Sequence, residues 1–434
     1  MRRIRRGRVA RPATIFTSEM PVVSETVIAP LTRRAACVSV GLLLAVPVPA
    51  PAQRAASRHH LALYAATGVE LTRYEVDVEQ ATLTKNAAVT LPGAIQYAWP
   101  HPARNYLYAA WSNVRERSFG VTTVQAANGR LEVIGSAPLT ARPIHITVDP
   151  SGTHVLLAYN SPSLLTVHPI LADRTVGMRI EQKGPLDFGI YAHQARVDPS
   201  GKTLILVARG NGPEGDRPED PGALRVFRYK DGTLRNLSVT APRNGVNFQP
   251  RHLDFHSSRQ WVYVSLERQN KLHVYLRKPD GSLGPEPLFV QETLADAAHP
   301  EGQLAGAVHM HPGGRFLYQA NRATGTREVD GKRVFAGGEN SIAVSSINPA
   351  TGEPVRIQNA DTRGISPRTF CLDPQGRLLV AANQMPMMVS GGDGWKQVPP
   401  SLAIFRVQQD GKLEFVRKVD TATGPFWVGM VPWI

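Results

Sequence analysis

Cysteine is nearly absent from this chain, and its scarcity excludes a disulfide framework. The 434 residues include two cysteines, Cys37 and Cys371. Cys37 falls in a segment that resembles a removable leader, which leaves Cys371 alone and without a partner for a disulfide. Cys371 lies in the apolar run 370–372, where a small buried side chain is expected rather than a nucleophile. No Cys/His cluster has the spacing of a structural zinc site.

Helical periodicity and phosphate-binding loops are also missing. No glycine-rich loop precedes a helix, so a nucleotide cradle is unsupported and no cofactor is expected. The formal net charge is +14, but eight Arg and two Glu lie in residues 1–52, which leaves +8 for the rest of the chain. Those remaining charges are dispersed rather than gathered in a stripe, so we expect a solvated surface and no nucleic-acid partner.

Residues 31–52 resemble an export signal. Arg33 and Arg34 precede an apolar core over 35–46, and a small-x-small cleavage pattern follows at 50–52. The Thr32-Arg33-Arg34 start also resembles a twin-arginine signal, and the apolar core is too short to span a bilayer comfortably. We therefore expect 1–52 to be a removed leader, and the mature chain to be periplasmic or secreted without a membrane association. The alternative is a disordered basic tail on a cytosolic protein.

A short phrase recurs along the chain and ends in a proline–glycine turn. Its reference position is Asp or His. It falls at His101, Asp149, Asp198, His256, His311 and Asp373, with a degenerate copy at Val431. The successive spacings are 48, 49, 58, 55, 62 and 58 residues. Self-similarity at this period indicates a radial or solenoidal repeat.

Each repeat reads as four antiparallel strands. One apolar run precedes the phrase, a second follows it, and a third run is followed by an Asp-Gly-type turn and a weaker fourth run. This pattern predicts an all-β fold, a seven-bladed β-propeller over residues 53–434. The inner strand of the last blade is expected at 426–430, and the N-terminal runs 61–65 and 71–76 would complete that blade and close the ring. A β-solenoid is disfavoured, because its rungs are shorter and carry no hairpin signature.

The repeat register selects candidate site residues on one rim of the ring. We take the Asp/His position as the origin of each repeat. The residue eleven positions after it ends the second strand, and the first strand starts four or five residues before it. Both positions therefore lie at the same rim of the ring. The first set is Ser112, Asn160, Arg209, Glu267, Arg322 and Gln384, and the second is His145, His193, Arg251, His252 and Arg368, with His309 two before its origin. Strand ends are often polar merely because they approach solvent, but histidines and arginines at equivalent strand starts favour a functional rim. Three long insertions, 210–222, 323–339 and 385–400, follow second strands and would overhang this rim.

Several phrases resemble a known family. They are Pro250-Arg251-His252 with its continuation to 256, the run 311–322 that ends in Ala-Asn-Arg, and the runs 340–344 and 366–370. Over about residues 60–434 they resemble the seven-bladed propeller lactonases, a family that includes bacterial propeller-type 6-phosphogluconolactonases and the fungal carboxymuconate cyclase. The resemblance implies a metal-independent site in which His193, Arg251, Glu267 and Arg322 are the catalytic candidates. Glu267 lacks the preceding Asn that is common in the family.

These residue types suit the opening of a lactone. Arginine forks stabilise an oxyanion and clamp a carboxylate, and His193 or Glu267 could act as the acid/base. The remaining rim residues, His145, His252, His309, Arg368, Asn160, Arg209 and Gln384, are expected to bind substrate. The prediction is an exported hydrolase of a small, sugar-derived lactone, whose partner is a small-molecule lactone or carboxylate. A carboxymuconate-type cyclase and a non-catalytic binding propeller stay open, as does the oligomeric state.

Overall fold

The computed structural model describes residues 60–103, 105–296, 298, 302–391 and 394–433. Within them the regular secondary structure is β-strand, apart from one short 3-10 helix over Pro242–Gly245. None of the described helical residues forms a segment long and apolar enough to cross a bilayer. The predicted leader, residues 1–52, lies outside the described residues.

The strands form seven antiparallel sheets and two small hairpins. The chain begins with β1 (His60–Thr67), β2 (Glu70–Asp77) and β3 (Thr82–Thr90). Blade 1 is β4 (Ala94–Pro100), β5 (Tyr106–Asn113), β6 (Ser118–Ala127) and β7 (Arg130–Pro138); blade 2 is β8 (Pro143–Val148), β9 (His154–Asn160) and β10 (Ser163–Pro169). Blade 3 is β11 (Ala192–Val197), β12 (Thr203–Ala208), β13 (Ala223–Lys230) and β14 (Thr233–Thr240). Blade 4 is β15 (Pro250–Phe255), β16 (Trp261–Leu266), β17 (Lys271–Leu276) and β18 (Phe289–Glu292).

The remaining blades contain the hairpins as insertions. Blade 5 is β19 (Gln303–Met310), β20 (Phe316–Ala323), β23 (Ser341–Ile347) and β24 (Pro354–Asp361), with the hairpin β21 (Thr326–Val329) and β22 (Lys332–Phe335) inserted after β20. Blade 6 is β25 (Pro367–Leu372), β26 (Leu378–Asn383), β29 (Ser401–Val407) and β30 (Leu413–Asp420), with the hairpin β27 (Met387–Gly391) and β28 (Gly394–Val398) after β26. The last strand is β31 (Pro425–Trp433).

The two ends of the described chain close the ring in the seventh blade. The strand order of that sheet is β3-β2-β1-β31, so the last strand is innermost and the first three complete the sheet. In the pairing of β1 with β31, Leu63 lies opposite Met430 and Tyr64 opposite Gly429. The innermost strand β31 contacts β25 on one side and β4 on the other. The predicted seven-bladed propeller and its closure by N-terminal strands are therefore confirmed.

The second strands are mainly apolar because each lies between two neighbouring blades. All six residues of β12 are buried. Leu204 and Leu206 pack in a cluster with residues of blade 2, whereas Ile205 and Val207 pack with blade 4. Successive side chains of a strand point to opposite faces, so a sheet covered on both faces produces a continuous apolar run instead of an alternating one.

The recurring phrase joins each blade to the next. In the histidine copies, ring Nδ1 accepts N–H groups of its own turn, as His256 does from Ser258 and Arg259 at 3.1 Å. The opposite nitrogen, Nε2, donates to a glycine carbonyl of the following repeat: His256 to Gly314 at 2.9 Å, with equivalent bonds from His101 to Gly152 and from His311 to Gly376. These turns are thus hydrogen-bonded clamps between neighbouring blades.

Two of the aspartate copies, Asp149 and Asp198, reach the same end by another route. The carboxylate of Asp149 accepts N–H bonds from Thr153 and His154 in its own turn and the Tyr229 hydroxyl from β13 of the next blade at 3.0 Å. Asp198 binds Arg277, beyond β17 of the following blade, at 2.5 Å. At these positions Asp and His act alike, because both present an acceptor to the turn and a second atom to the neighbouring blade, whereas both carboxylate oxygens of Asp373 bind Arg377 of its own turn.

Blade 2 differs from the four-strand expectation. It has three strands, and the segment after β10 contributes one isolated bridge, between Ile170 and Val176. Gly177, Gly184 and Pro185 interrupt this segment. Glycine and proline are depleted in strands, so the segment follows the edge of β10 without forming a fourth strand.

Candidate active site

A β-bulge near the start of six inner strands builds the upper mouth of the central channel, which we define as the end where inner strands begin and second strands end. The pairing of β11 skips His193, that of β15 skips Arg251 and that of β25 skips Arg368. Equivalent shifts occur in β4, β8 and β19. A bulge inserts an extra residue and re-aims side chains, and in β15 it brings two consecutive side chains, Arg251 and His252, to the mouth.

Three of these strands are entered through a residue in the left-handed region. Tyr191, Gln249 and Ser366 have φ of 58°, 36° and 58°. Their carbonyl oxygens accept the N–H groups of Arg209, Glu267 and Gln384, at 2.9, 3.0 and 3.0 Å. Non-glycine residues hold this conformation only where the surroundings enforce it. The same local device therefore places a strand-end candidate beside a strand-start candidate in blades 3, 4 and 6.

Glu267 is the centre of the cluster at the upper mouth. Its Oε1 accepts hydrogen bonds from Arg251 Nε at 2.8 Å and Arg322 Nη2 at 2.5 Å, and its Oε2 accepts one from Arg209 Nη1 at 2.7 Å. Burial alone would raise the pKa of the Glu267 carboxyl, but the guanidinium groups outweigh burial and hold that pKa well below its usual value. The carboxylate is thus ionised, and it fixes three arginines from three blades.

Arg368 adds a fourth guanidinium to the mouth. It lies over the Phe426 ring, with its Cζ 4.0 Å from the ring centroid, and no carboxylate of the described residues lies within ion-pairing distance of it. Burial, followed by the nearby Arg251 and Arg322, lowers the pKa of Arg368. Four guanidinium groups therefore surround one carboxylate, an excess of three formal positive charges.

Histidine rings lie next to the arginines. The His193 and His252 ring centroids are 5.1 Å apart, and His145 lies 6.0 Å from His252. Burial, and next the Arg251 guanidinium, lower the pKa of both His193 and His252. Burial and then Arg196 lower that of His145. All three imidazoles are consequently neutral near pH 7, and each keeps a ring nitrogen without a hydrogen-bond partner.

The predicted catalytic set converges. Arg251 and Arg322 bind the same oxygen of Glu267, and His193 contributes to the low pKa of that carboxyl. Of the predicted substrate-binding residues, Arg209, Arg368 and His252 join the cluster, and His145 lies next to His252. Among the described residues, neither Asn160 nor Gln384 has a side-chain hydrogen bond to these groups; Asn160 closes the tight turn to β10, opposite Ser163. A non-catalytic binding propeller would not require these four side chains to lie together.

His309 lies away from the cluster. Its Nδ1 is 3.8 Å from the Asp254 carboxylate, which also pairs with Arg196 at 3.0 Å. Asp254 and Arg196 line a cavity of about 570 Å³ among the proline turns, at the lower mouth of the channel. His309 stands two residues before its turn, so it sits about 10 Å further down the inner strand than the bulge residues, at 3.3 Å per residue. Its imidazole is thus paired with Asp254 and makes no hydrogen bond to the arginine cluster, and a substrate contact by His309 stays a prediction.

Two of the three rim insertions have β-structure of their own. The hairpins β21–β22 and β27–β28 contact each other through β22 and β27. In the third, Asn211 Nδ2 binds Asp220 at 2.7 Å, and the carboxylate of Glu219 binds Gln249 Nε2 at 3.2 Å. All three insertions follow second strands, so they rise from the face that carries the cluster.

Tyr191 and Phe426 are site residues that the repeat register did not predict. The Arg209 guanidinium lies 3.8 Å from the Tyr191 ring centroid, and the same ring stacks on His193 at 6.3 Å. Tyr191 directly precedes β11 and Phe426 is the second residue of β31, so both lie at the start of an inner strand. A search for polar side chains at these positions passes over them. In the described part of the chain, no group of three or more His, Cys, Asp or Glu is arranged to hold a metal ion.

Comparisons with known proteins agree with this architecture. A family model described as "Lactonase, 7-bladed beta-propeller" matches residues 60–390. The 6-phosphogluconolactonase of Serratia proteamaculans is 26% identical over 345 residues, covering 79% of this chain and 90% of that protein. That of Erwinia tasmaniensis is 24% identical over 356 residues, covering 80% and 92%.

Solved structures are similar in fold. The periplasmic gluconolactonase of Pseudomonas aeruginosa superposes with a TM-score of 0.65 at 19% identity, covering 86% of this chain and 99% of that one. A Lactobacillus plantarum protein gives a TM-score of 0.67 at 20% identity, with 86% and 99% covered. At these identities the likeness concerns the fold.

Proposed function

Because this chain belongs to the seven-bladed β-propeller lactonase family, we propose that it hydrolyses a small lactone at the upper mouth. The observation that carries the proposal is the convergence of Arg251, Arg322 and Arg209 on the Glu267 carboxylate, with Arg368 beside them. Attack on a lactone carbonyl generates an oxyanion, and the product is a carboxylate. Preorganised donors in a buried site stabilise such developing charge, and arginine forks suit both species.

His193 is the proposed general base. Its imidazole is neutral. Nδ1 is buried without a partner, so Nε2 is the nitrogen proposed to take a proton from water. It would receive that proton as the water oxygen bonds to the carbonyl carbon, and return it to the ring oxygen as the acyl C–O bond breaks. Glu267 is ionised but already accepts three arginine hydrogen bonds, so its proposed role is to hold the guanidinium groups.

The charge of the site favours an acidic or acid-forming ligand. The excess of three formal positive charges exceeds what a single oxyanion neutralises. The similar proteins named 6-phosphogluconolactonase and gluconolactonase support a sugar-derived lactone. We propose an aldonolactone as the substrate class, either neutral or carrying a further anionic group.

A carboxymuconate-type cycloisomerase is the second candidate, and the same charge excess favours it. A substrate with several carboxylates would match the guanidinium groups that Glu267 leaves uncompensated. In that reaction the arginines would clamp the acid and a neutral imidazole would supply or take the proton at carbon. The two candidates differ in substrate and share the residues.

A substrate panel separates the candidates. The purified mature chain is offered δ-gluconolactone, 6-phosphogluconolactone and γ-lactones with acid release followed by a pH indicator, and cis,cis-muconates followed by ultraviolet absorbance. Acid release above the spontaneous rate supports the lactonase, and absorbance loss with muconates alone supports the cycloisomerase. No turnover of either class, with the chain folded, contradicts both.

We also propose that the protein acts outside the cytoplasm after removal of residues 1–52. The basic start, apolar core and small-x-small pattern of residues 31–52 support this proposal. Expression of the full-length chain, osmotic-shock fractionation and N-terminal sequencing test it. A mature N-terminus near residue 53 in the periplasmic fraction is expected, and an intact chain confined to the cytoplasm contradicts it.

A further inference from the structure

Asn340 links the two strands that carry Arg322 and Arg368. Its Oδ1 accepts the N–H of Ala323 at 2.9 Å and the N–H of Ser366 at 2.8 Å. Ala323 directly follows Arg322 on β20, and Ser366 lies two residues before Arg368. A single amide oxygen thereby bridges blades 5 and 6 beside the cluster.

The backbone of Asn340 strengthens the same link. Its carbonyl accepts the N–H of Thr362 at 3.0 Å and the Thr362 hydroxyl at 3.1 Å. Thr362 and Ser366 lie in the segment that leads into β25, and Ser366 is the residue held in the left-handed region. Asn340 therefore holds both ends of the segment that fixes where β25, and with it Arg368, begins.

The Asn340 link joins two strands whose arginine side chains repel each other. The guanidinium groups of Arg322 and Arg368 carry like charges, and Arg322 is one of the groups that lower the pKa of Arg368. Glu267 holds Arg322 directly at 2.5 Å but does not pair with Arg368. The position of Arg368 consequently depends on the backbone that carries it and on the Phe426 ring beneath it.

We propose that Asn340 is a positioning residue that sets the separation of Arg322 and Arg368, and that these two groups together hold the carboxylate of the ring-opened product. This inference rests on the lactonase function proposed above. A displacement of about 1 Å in a positioned group is enough to cost roughly 100-fold in rate. Asn340 would thus influence turnover without touching the substrate.

The test uses three variants of the mature chain. Asn340→Leu keeps the size of the side chain and removes the acceptor, whereas Asn340→Asp keeps an oxygen for both N–H groups. Asn348→Leu is the matched control, because Asn348 Oδ1 also accepts two backbone N–H groups, from Ala350 and Thr351, in the turn after β23 at the opposite face. Each variant is checked for folding by circular dichroism and thermal melting.

Asn340→Leu is expected to lower kcat/KM for the accepted lactone by roughly 100-fold and to weaken gluconate binding in calorimetry. Asn340→Asp should restore both within a few-fold, and Asn348→Leu should lose stability alone. A folded Asn340→Leu with wild-type kcat/KM and gluconate affinity, or an Asn340→Asp as impaired as the leucine variant, overturns the proposal.

Calorimetry separates this inference from the function on which it rests. A wild type that binds gluconate but hydrolyses no lactone contradicts the lactonase, and weaker gluconate binding by Asn340→Leu would then still support the positioning role. A wild type that hydrolyses aldonolactones but whose gluconate affinity is unaffected by Arg368→Ala overturns the carboxylate clamp.

Discussion

Arg251 and His252 are consecutive residues of β15, yet their side chains meet, with Nη1 of the arginine 3.5 Å from Nε2 of the histidine. In a regular strand, neighbouring side chains point to opposite faces. The bulge at Arg251 removes this restriction. A guanidinium that binds the Glu267 carboxylate and an imidazole that packs on His193 therefore come from adjacent positions.

Replacing the central carboxylate should abolish turnover. In Glu267→Gln an amide faces four guanidinium groups, so their mutual repulsion is no longer offset and their geometry loosens. We expect kcat/KM for the accepted lactone to fall by at least roughly 100-fold, as measured by initial rates of acid release. Some loss of thermal stability is also expected, because one partner of buried ion pairs is removed.

Glu286→Gln is the matched control for this substitution, since Glu286 is exposed and lies in the connection between β17 and β18. It should retain wild-type rates and melting temperature. A folded Glu267→Gln protein with wild-type kcat/KM would show that the arginine cluster does not take part in the reaction.

The pH profile should show a base that stays active in mild acid. Burial, and next Arg251, lower the pKa of His193 below its usual 6.5, so the imidazole remains unprotonated as the pH falls through that value. We expect kcat/KM to stay level between about pH 8 and 6 and to decline only at more acidic pH. His193→Gln should remove most of the activity over the whole range. An acidic limb centred at or above 6.5 in the wild type would contradict the assignment.

The histidine clamps should contribute to stability and not to chemistry. His256→Ala removes the acceptor for Ser258 and Arg259 and the donor to Gly314 of the next blade. We expect the free energy of unfolding to drop by about 2–4 kcal/mol, measured by urea titration. Ser257→Ala, an exposed neighbour in the same turn, should change it by less than about 0.5 kcal/mol. Equal stabilities for the two variants would disprove the clamp.

Two of the clamp histidines and the buried His273 of β17 make the fold sensitive to mild acid. Burial lowers the pKa of His256, of His311 and, to about 4, of His273. Below the usual value of 6.5 the unfolded chain therefore binds protons that the folded chain does not, so stability is complete above that pH and declines as the pH falls toward 4. Urea midpoints should decrease from about pH 7.5 to about pH 5. An unchanged or higher midpoint at the lower pH would contradict this reading.

Much of the fold could be predicted because the same kinds of turn residue recur along the chain. The Asp/His position, the apolar second strand and the later Asp-Gly turn recur with each blade, and together they determine strand number and direction. The strand-end set containing Arg209, Glu267 and Arg322 followed from direction alone, since antiparallel neighbours share an edge. Blade 2 escaped the pattern because two glycines and a proline replace its fourth strand.

The finer arrangement of the site could not be predicted from spacing. Nothing in the sequence marks Arg251 as the residue skipped by the strand pairing, and a side chain's height along the inner strand decides which mouth it lines. His309, two residues before its turn, is paired with Asp254 at the lower mouth for this reason. The lack of a carboxylate beside Arg368 likewise depends on three-dimensional neighbours.

The most direct test of lactone hydrolysis at the upper mouth is the rate of acid release from δ-gluconolactone by residues 53–434 of the wild type and of Arg251→Ala, each corrected for spontaneous hydrolysis. We expect saturable catalysis by the wild type and loss of at least roughly 100-fold in kcat/KM in the variant, with both chains folded. Two results would contradict lactone hydrolysis by the arginine cluster. One is a wild type that never exceeds the spontaneous rate with any lactone of the panel, and the other is an Arg251→Ala protein as active as the wild type.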